Sequence, residues 1–246
     1  MTRTMIIATF AATALTLATA NAQTVSDGRL KQAKVIIEHN ATDNDTGFQA
    51  FVDADGWEKL EVIGPNGTIA DFQPKGSVTD LGMTELFLET VEPENAKMPL
   101  TDLLKKLPAG NYEFRATASK LGGNSGTMVG TAKLSHQIPQ GVTLIEPKEE
   151  SVIPIADTLV KWQGTDKAID GSKVNIIAYQ LIIEKDEEPH PRMIGKRGLS
   201  MYLPATVNEI EISKMFFEPA TSYLWEVLAI ADSGNQTLQS GAFKTQ

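Results

Sequence analysis

The chain contains no cysteine among its 246 residues, and it has only three histidines. Without cysteine there can be no disulfide, no thiolate metal site and no cysteine nucleophile. The formal net charge is −9, and this acidic balance excludes nucleic acid or an anionic lipid surface as the main partner, since both bind through clustered cations. What remains is a soluble chain with 41% hydrophobic and 22% charged residues, which is long enough for one large domain or two ordinary ones.

The apolar stretch at the N-terminus is the first feature with a functional meaning. Arg3 precedes an apolar run from Met5 to Ala20, and Ala20 and Ala22 form a small-x-small site. This pattern is typical of a secretory signal peptide, and the run is shorter than the roughly 20 apolar residues of a membrane span. We therefore expect a signal peptide at 1–22 and an exported mature chain, either periplasmic or extracellular.

Short alternating segments separated by turn residues predict an all-β chain. In the first half the predicted strands include 35–37, 48–52, 57–63, 68–72, 84–90, 112–119 and 128–135. Asp55-Gly56 predicts a hairpin, and so does the turn at 64–67. Leucines at 100, 103, 104 and 107 have helical spacing and predict one short helix.

The second half repeats the strand pattern after a linker at 138–141. Its predicted strands are 158–162, 176–184, 199–203, 209–212, 223–230 and 241–245. Residues 23–139 carry 11 basic and 16 acidic side chains, and 140–246 carry 10 and 15, so neither half is a charged tail. We predict two tandem β-sandwiches, an Ig-like one at 23–139 and a second at 140–246.

The segment 217–227 resembles the fibronectin type III family. Pro219, Thr221, Tyr223 and Trp225 alternate there as in the corner that leads into strand F of that fold, where a tyrosine hydroxyl bonds back to the main chain. Pro108 and Tyr112 repeat the pattern 111 residues earlier, so each sandwich should be closed by a tyrosine. The whole chain also resembles a group of exported bacterial two-domain proteins of unknown role, through segments such as 107–112, 134–139 and 226–237.

Acidic residues of the first half form the main candidate binding site. Asp43, Asp45, Asp53 and Asp55 supply oxygen ligands of the kind calcium takes, but their spacing is not that of an EF-hand. The alternative is turn chemistry, in which Asn and Asp bond to their own backbone. Trp162 and Trp225 are expected in the core. Trp57, next to the Asp-Gly pair, is the tryptophan that could be exposed and stack on a sugar, but burial in the core or at an interface is the preferred interpretation.

The remaining patterns favour no catalytic site, so we assign no catalytic, cofactor or metal residue and expect no cofactor. His39, His136 and His190 lack metal spacing, and no Gly-x-Ser-x-Gly elbow supports a serine hydrolase. Paired carboxylates acting on a glycoside keep a hydrolase as a third hypothesis. The basic segment 195–197 is expected to neutralise the acidic residues at 184–188.

The leading hypothesis is an exported, non-catalytic binding or scaffolding protein. Its loops and sheet edges would meet a protein partner in the envelope or outside the cell. The alternative is a calcium- or carbohydrate-binding module that uses the acidic loops of the first half.

Overall fold

The computed structural model describes residues 28, 30–123 and 126–246 of the chain. Within these residues the chain forms fourteen strands, two short helices and one 3-10 turn. The predicted signal peptide lies outside the described residues. Across the described ranges, no helix is long and apolar enough to span a membrane.

The first sandwich is a sheet that folds over on itself. Its strands are β1 (Leu30–Asn40), β2 (Asp45–Gly64), β3 (Gly67–Phe72), β4 (Met83–Glu89), β5 (Gly110–Ala118) and β6 (Thr127–Leu134). The first half of β2 pairs with β1 and β4, and its second half pairs with β3 and β5. One long strand therefore serves both layers, and the apolar side chains that alternate along it fill the space between them.

The predicted hairpin at Asp55-Gly56 is wrong. β2 continues through this dipeptide. Its register with β4 shifts between Asp53 and Trp57, and its register with β5 shifts between Trp57 and Lys59, so the dipeptide lies in a bulged part of the strand. Gly56 has a φ of 155°, and a Cβ on it would lie 2.8 Å from the Cα of Gly122. The glycine of an Asp-Gly pair can adopt the backbone conformation of a bulge as readily as the conformation of a turn.

The other first-half elements agree with the sequence. The turn at 64–67 joins β2 to β3 as a hairpin, and the leucine pattern forms α2 (Leu100–Lys106). A further short helix, α1 (Ser77–Leu81), buries no residue and was not predicted. Its lack of an apolar face explains why no periodic signal marks it.

The second sandwich has two facing sheets. β7 (Thr143–Glu146), β9 (Thr158–Gln163) and β12 (Glu209–Ile212) form a three-stranded sheet in the order β12-β9-β7. Opposite it lie β10 (Ile176–Lys185), β11 (Gly198–Pro204), β13 (Ser222–Ala231) and β14 (Gln236–Thr245) in the order β11-β10-β13-β14. The short β8 (Ser151–Ile153) pairs with β14, and the 3-10 turn is Lys214–Phe216. This is the strand arrangement of a fibronectin type III sandwich.

Both tyrosine corners are confirmed. The Tyr112 hydroxyl donates to the carbonyl oxygen of Pro108 at 2.9 Å, and the Tyr223 hydroxyl accepts from the backbone N–H of Glu218 at 2.8 Å. Each ring is almost fully buried in its own cluster of core residues. Trp162 and Trp225 are core residues, as expected.

The two sandwiches are joined through their sheets. β1 pairs in parallel with β14, with Glu38, His39 and Asn40 opposite residues 236–238. The side chain of Asn235, fully buried, accepts from the N–H of Ile37 and donates to the carbonyls of Ser135 and Gln137. Since this amide has its acceptor and both donor hydrogens satisfied, it fixes the two halves against each other.

Candidate functional site

The outer face of the joined sheet is concave. It runs across β11, β10, β13, β14, β1, β2 and β4, because the pairing of β1 with β14 makes these strands neighbours. Residues that alternate with the core positions point to this side, and they line a groove of about 560 Å³ that crosses the junction. We call this surface the concave face.

Apolar side chains cover much of the concave face. They come from both halves of the chain: Ile36, Phe51, Phe87, Ile182, Leu228 and Leu238. Phe87 at one rim is 56% exposed, and Tyr202 at the opposite rim is 70% exposed. Two exposed aromatic rings at the edges of one groove are a typical feature of a protein-binding surface.

The charges of the concave face are mainly negative. Lys34 is the cation among the lining residues, and its ammonium lies 5.7 Å from the centre of the Phe51 ring. Glu38 and Glu226 are the anions, and burial followed by neighbouring carboxylates raises the pKa of Glu226. For Glu38, burial is again the first cause of a raised pKa, opposed by hydrogen bonds from Gln236 and Gln49.

One end of the face holds a cluster of carboxylates. Oxygen atoms of Glu38, Glu89 and Glu92 lie within 4.8 Å of one another. Burial, then the charges of Glu38, Asp45 and Glu89, raises the pKa of Glu92 to about 7. Oε1 of Glu92 is buried and accepts no hydrogen bond from the described residues. We call Glu38, Glu89 and Glu92 the acidic cluster.

Local structure explains how these three side chains meet. Glu38 lies on β1 beside the β1–β2 hairpin, Glu89 ends β4, and Glu92 follows it. Gly47 leaves room for Glu92, because a Cβ at position 47 would lie 2.7 Å from Cγ of Glu92. Gln49 donates to Glu89 at 2.9 Å and Gln236 donates to Glu38, so in the described part of the chain neutral amides, and not cations, donate to these two carboxylates.

The predicted aspartate site does not form as one group. Asp45 and Asp53 are eight residues apart on the extended strand β2, which corresponds to roughly 26 Å. Lys31 pairs with Asp55 at 2.8 Å and with Asp53 at 3.8 Å. Asp43 takes part in the turn, where Asn40 accepts from its N–H at 3.1 Å. Turn chemistry and a surface ion pair therefore account for three of these aspartates.

The other candidates also have structural roles. Trp57 is 1% exposed and belongs to the first core cluster, which confirms the preferred interpretation of burial and excludes the alternative that it stacks on a sugar. His39 bonds to Asp45 O and to Thr46 within its own hairpin, and His136 Nε2 lies 2.7 Å from the carbonyl of Leu107. Arg197 binds both carboxylate oxygens of Glu187, which confirms that the basic segment neutralises acidic residues of the same hairpin.

Comparisons with known proteins add little to this geometry. No family profile and no curated protein sequence matches the chain. Among solved structures it is similar to a two-domain fibronectin type III segment of chicken tenascin, with 11% identity, a TM-score of 0.30 and coverage of 91% of this chain and 97% of that one. For the FN1–FN3 domains of chicken CNTN1 the values are 12%, 0.33, 86% and 66%. At such scores the overlap carries no argument, and the fold assignment depends on the strand order and the two cores.

Proposed function

We propose that the chain is an exported, non-catalytic binding or scaffolding protein, periplasmic or extracellular, with a signal peptide at 1–22 and sandwich domains at 23–139 and 140–246. Its partner-binding surface is the concave face. The observation that carries the proposal is a single groove that takes its lining from both sandwiches. Because both sandwiches line the groove, its shape depends on how the two domains are joined.

The chemistry of the face indicates the kind of partner. Apolar side chains with two exposed aromatic rims favour a protein segment with apolar anchors. Glu226 and the acidic cluster favour a partner that brings lysine or arginine, because each added cation would compensate a half-buried carboxylate. The expected ligand is therefore a basic, partly apolar segment of a protein.

Peptide selection tests this proposal while the partner itself is unidentified. A phage-displayed library of random 12-residue peptides is selected against the full chain, and enriched peptides are measured by fluorescence polarisation. We expect enrichment of sequences that combine lysine or arginine with apolar residues. Phe87→Ser should weaken their binding about tenfold or more, because it removes an exposed aromatic anchor.

Met215→Ser is the matched control. Met215 is 91% exposed but lies in the 3-10 turn of the second sandwich, outside the lining of the groove. It should leave peptide binding unchanged. Enriched peptides that bind Phe87→Ser as tightly as the unmodified chain would contradict the assignment of the concave face.

A divalent cation is the second candidate ligand, favoured by the acidic cluster. Calcium takes six to eight oxygen ligands, and the cluster offers three carboxylates with a buried, unpartnered oxygen on Glu92. This candidate differs from the site predicted from the aspartates, and the two can be separated by mutation.

Calorimetric titration with calcium chloride at about pH 7.5, with thermal unfolding in parallel, provides the test. Binding to the folded state alone would raise Tm, and the rise should disappear in Glu92→Gln but persist in Asp43→Asn. The opposite result would restore the aspartate loop as the ligand set. No heat and no Tm change at millimolar calcium would remove the calcium hypothesis.

A further inference from the structure

β11 is an edge strand that lacks charged side chains. It ends the large sheet, and its seven residues include no charged side chain. Within the described residues, each other edge strand of four or more residues carries at least one charge: β3 Asp71, β4 Glu85 and Glu89, β6 Lys133, β7 Glu146, and β12 Glu209 and Glu211. Charges on edge strands are a common means by which proteins prevent pairing with another chain.

The hydrogen-bond pattern shows which groups of β11 face outward. The N–H of Lys185 donates to the carbonyl of Arg197 at 3.0 Å, which marks this as a hydrogen-bonded position of the β10–β11 ladder. In an antiparallel pair such positions alternate, so the odd-numbered residues of β11 bond to β10. The backbone N–H groups of Gly198, Ser200 and Tyr202 therefore point away from the sheet.

We propose that β11 pairs with β11 of a second copy of this chain, antiparallel and centred on Met201. In this register Ser200 lies opposite Tyr202 of the second copy, and Gly198 lies opposite Pro204 of the second copy. Each outward N–H then has a carbonyl acceptor. Pro204 is compatible with this register, because its carbonyl accepts from Gly198 of the second copy and its nitrogen has no hydrogen to donate.

The side chains of β11 suit this pairing. Met201 would contact its own copy on the core side, where it already packs against the second sandwich, and Leu199 would lie opposite Leu203. On the other side Tyr202, 70% exposed, would cover Ser200 of the second copy. The symmetric antiparallel arrangement keeps both concave faces on the same side, so the two grooves become neighbours across the pair of Tyr202 rings.

The expected dimer is weak and depends on salt. A seven-residue strand buries less surface than the roughly 1,600 Å² of a standard interface, so we expect a dissociation constant on the order of 10–100 µM. The net charge of −9 on each copy opposes association over distance. Screening this repulsion should strengthen the dimer as sodium chloride rises from about 20 to 300 mM.

Sedimentation velocity on the full chain from about 1 to 500 µM tests the proposal. Ser200→Lys and Ser200→Pro should each weaken dimerisation at least tenfold. The lysine places a charge on the edge, and the proline removes an outward donor that is not bonded to β10. Thr84→Lys, an exposed position on the edge strand β4, adds the same charge elsewhere and should not change the dissociation constant.

The sedimentation results can either support or overturn pairing through β11. A dimer that both Ser200 variants weaken, while their circular dichroism and Tm stay those of the unmodified chain, supports pairing through β11. A chain that is monomeric up to about 500 µM overturns the proposal, as does a dimer that neither variant affects. Dimerisation and peptide binding are measured separately, by sedimentation and by fluorescence polarisation, so either proposal can fail alone.

Discussion

Two groups of carboxylates, one in each half of the chain, differ in which side chains contact them. In the second sandwich Glu187 and Glu218 contact Lys185 and Arg197 in one exposed network. In the first sandwich the acidic cluster lies at one end of the concave face, where the side chains that donate hydrogen bonds to it are the amides of Gln49 and Gln236. Both halves have five more acidic than basic residues, so the contrast comes from placement and not from composition.

The two groups differ in whether folding favours or disfavours the charged form of the carboxylates. Hydrogen bonds from the opposing cations lower the pKa values of Glu187 and Glu218. Burial raises the pKa values of Glu38 and Glu92, which means that folding disfavours their charged forms. Carboxylates kept in this condition are frequently found at binding sites.

The largest effect on stability is expected from a substitution that weakens the connection between the two halves. Asn235→Ala removes three hydrogen bonds of a buried side chain and leaves the carbonyl of Gln137 with only its 3.4 Å contact from Ser233, at a cost of about 2–4 kcal/mol. We expect the halves to unfold separately, seen as two transitions in urea by tryptophan fluorescence and far-UV circular dichroism. Ser233→Ala removes two long contacts of 3.4 Å, one to the carbonyl of Gln137 and one from the backbone N–H of Asn235, but it keeps the Asn235 amide, so it should keep a single transition.

An intermediate effect on Tm is expected from neutralising Glu92 in the acidic cluster. The pKa of Glu92 is raised from 4.5 to about 7 in the folded chain, so the stability linked to its protonation is complete below pH 4.5 and is lost as pH rises through about 7. Glu92→Gln removes this loss. Allowing for solvent screening, it should raise Tm by about 3–6 °C at about pH 8 and change it little at about pH 4.

Glu94→Gln is the control for this measurement. Glu94 is exposed and pairs with Lys97 on the surface. Its Tm should follow that of the unmodified chain across the pH range. If Glu92→Gln lowered Tm at about pH 8, the charged carboxylate would be stabilising, and the contrast between the acidic cluster and the network of Glu187 and Glu218 would be wrong.

The smallest effect concerns the ion pairs of the second sandwich. Arg197→Ala removes the contacts with Glu187 and Glu218, but the side chains are exposed, so Tm should fall by only about 1–2 °C at low salt. The difference should disappear in about 1 M sodium chloride, where such pairs are screened. Arg192→Ala, an exposed neighbour, should have no effect in either buffer.

The sequence predicted those parts of the fold that depend on local signals. The tyrosine corners, the turn at 64–67 and the short leucine helix are each encoded within about eleven residues. The Asp55-Gly56 prediction failed because the same dipeptide suits a hairpin and a bulge, and only the strand that pairs alongside distinguishes them.

The candidate site could not be predicted in the same way. Glu38 and Glu89 are 51 residues apart, and they meet because β1 and β4 both pair with β2. Glu38 and Gln236 are 198 residues apart and meet through a three-residue parallel pairing. Alternation along a strand predicts which residues share a face, but it does not predict which strands are neighbours.

The buried amide of Asn235 has a consequence for the groove. It ties β1, the chain after β6 and the start of β14 together, so the two sandwiches are held to each other at the junction that the groove crosses. If the concave face binds a protein segment as proposed, the two domains would not need to close around that segment, and the breadth of the groove would limit which segments fit.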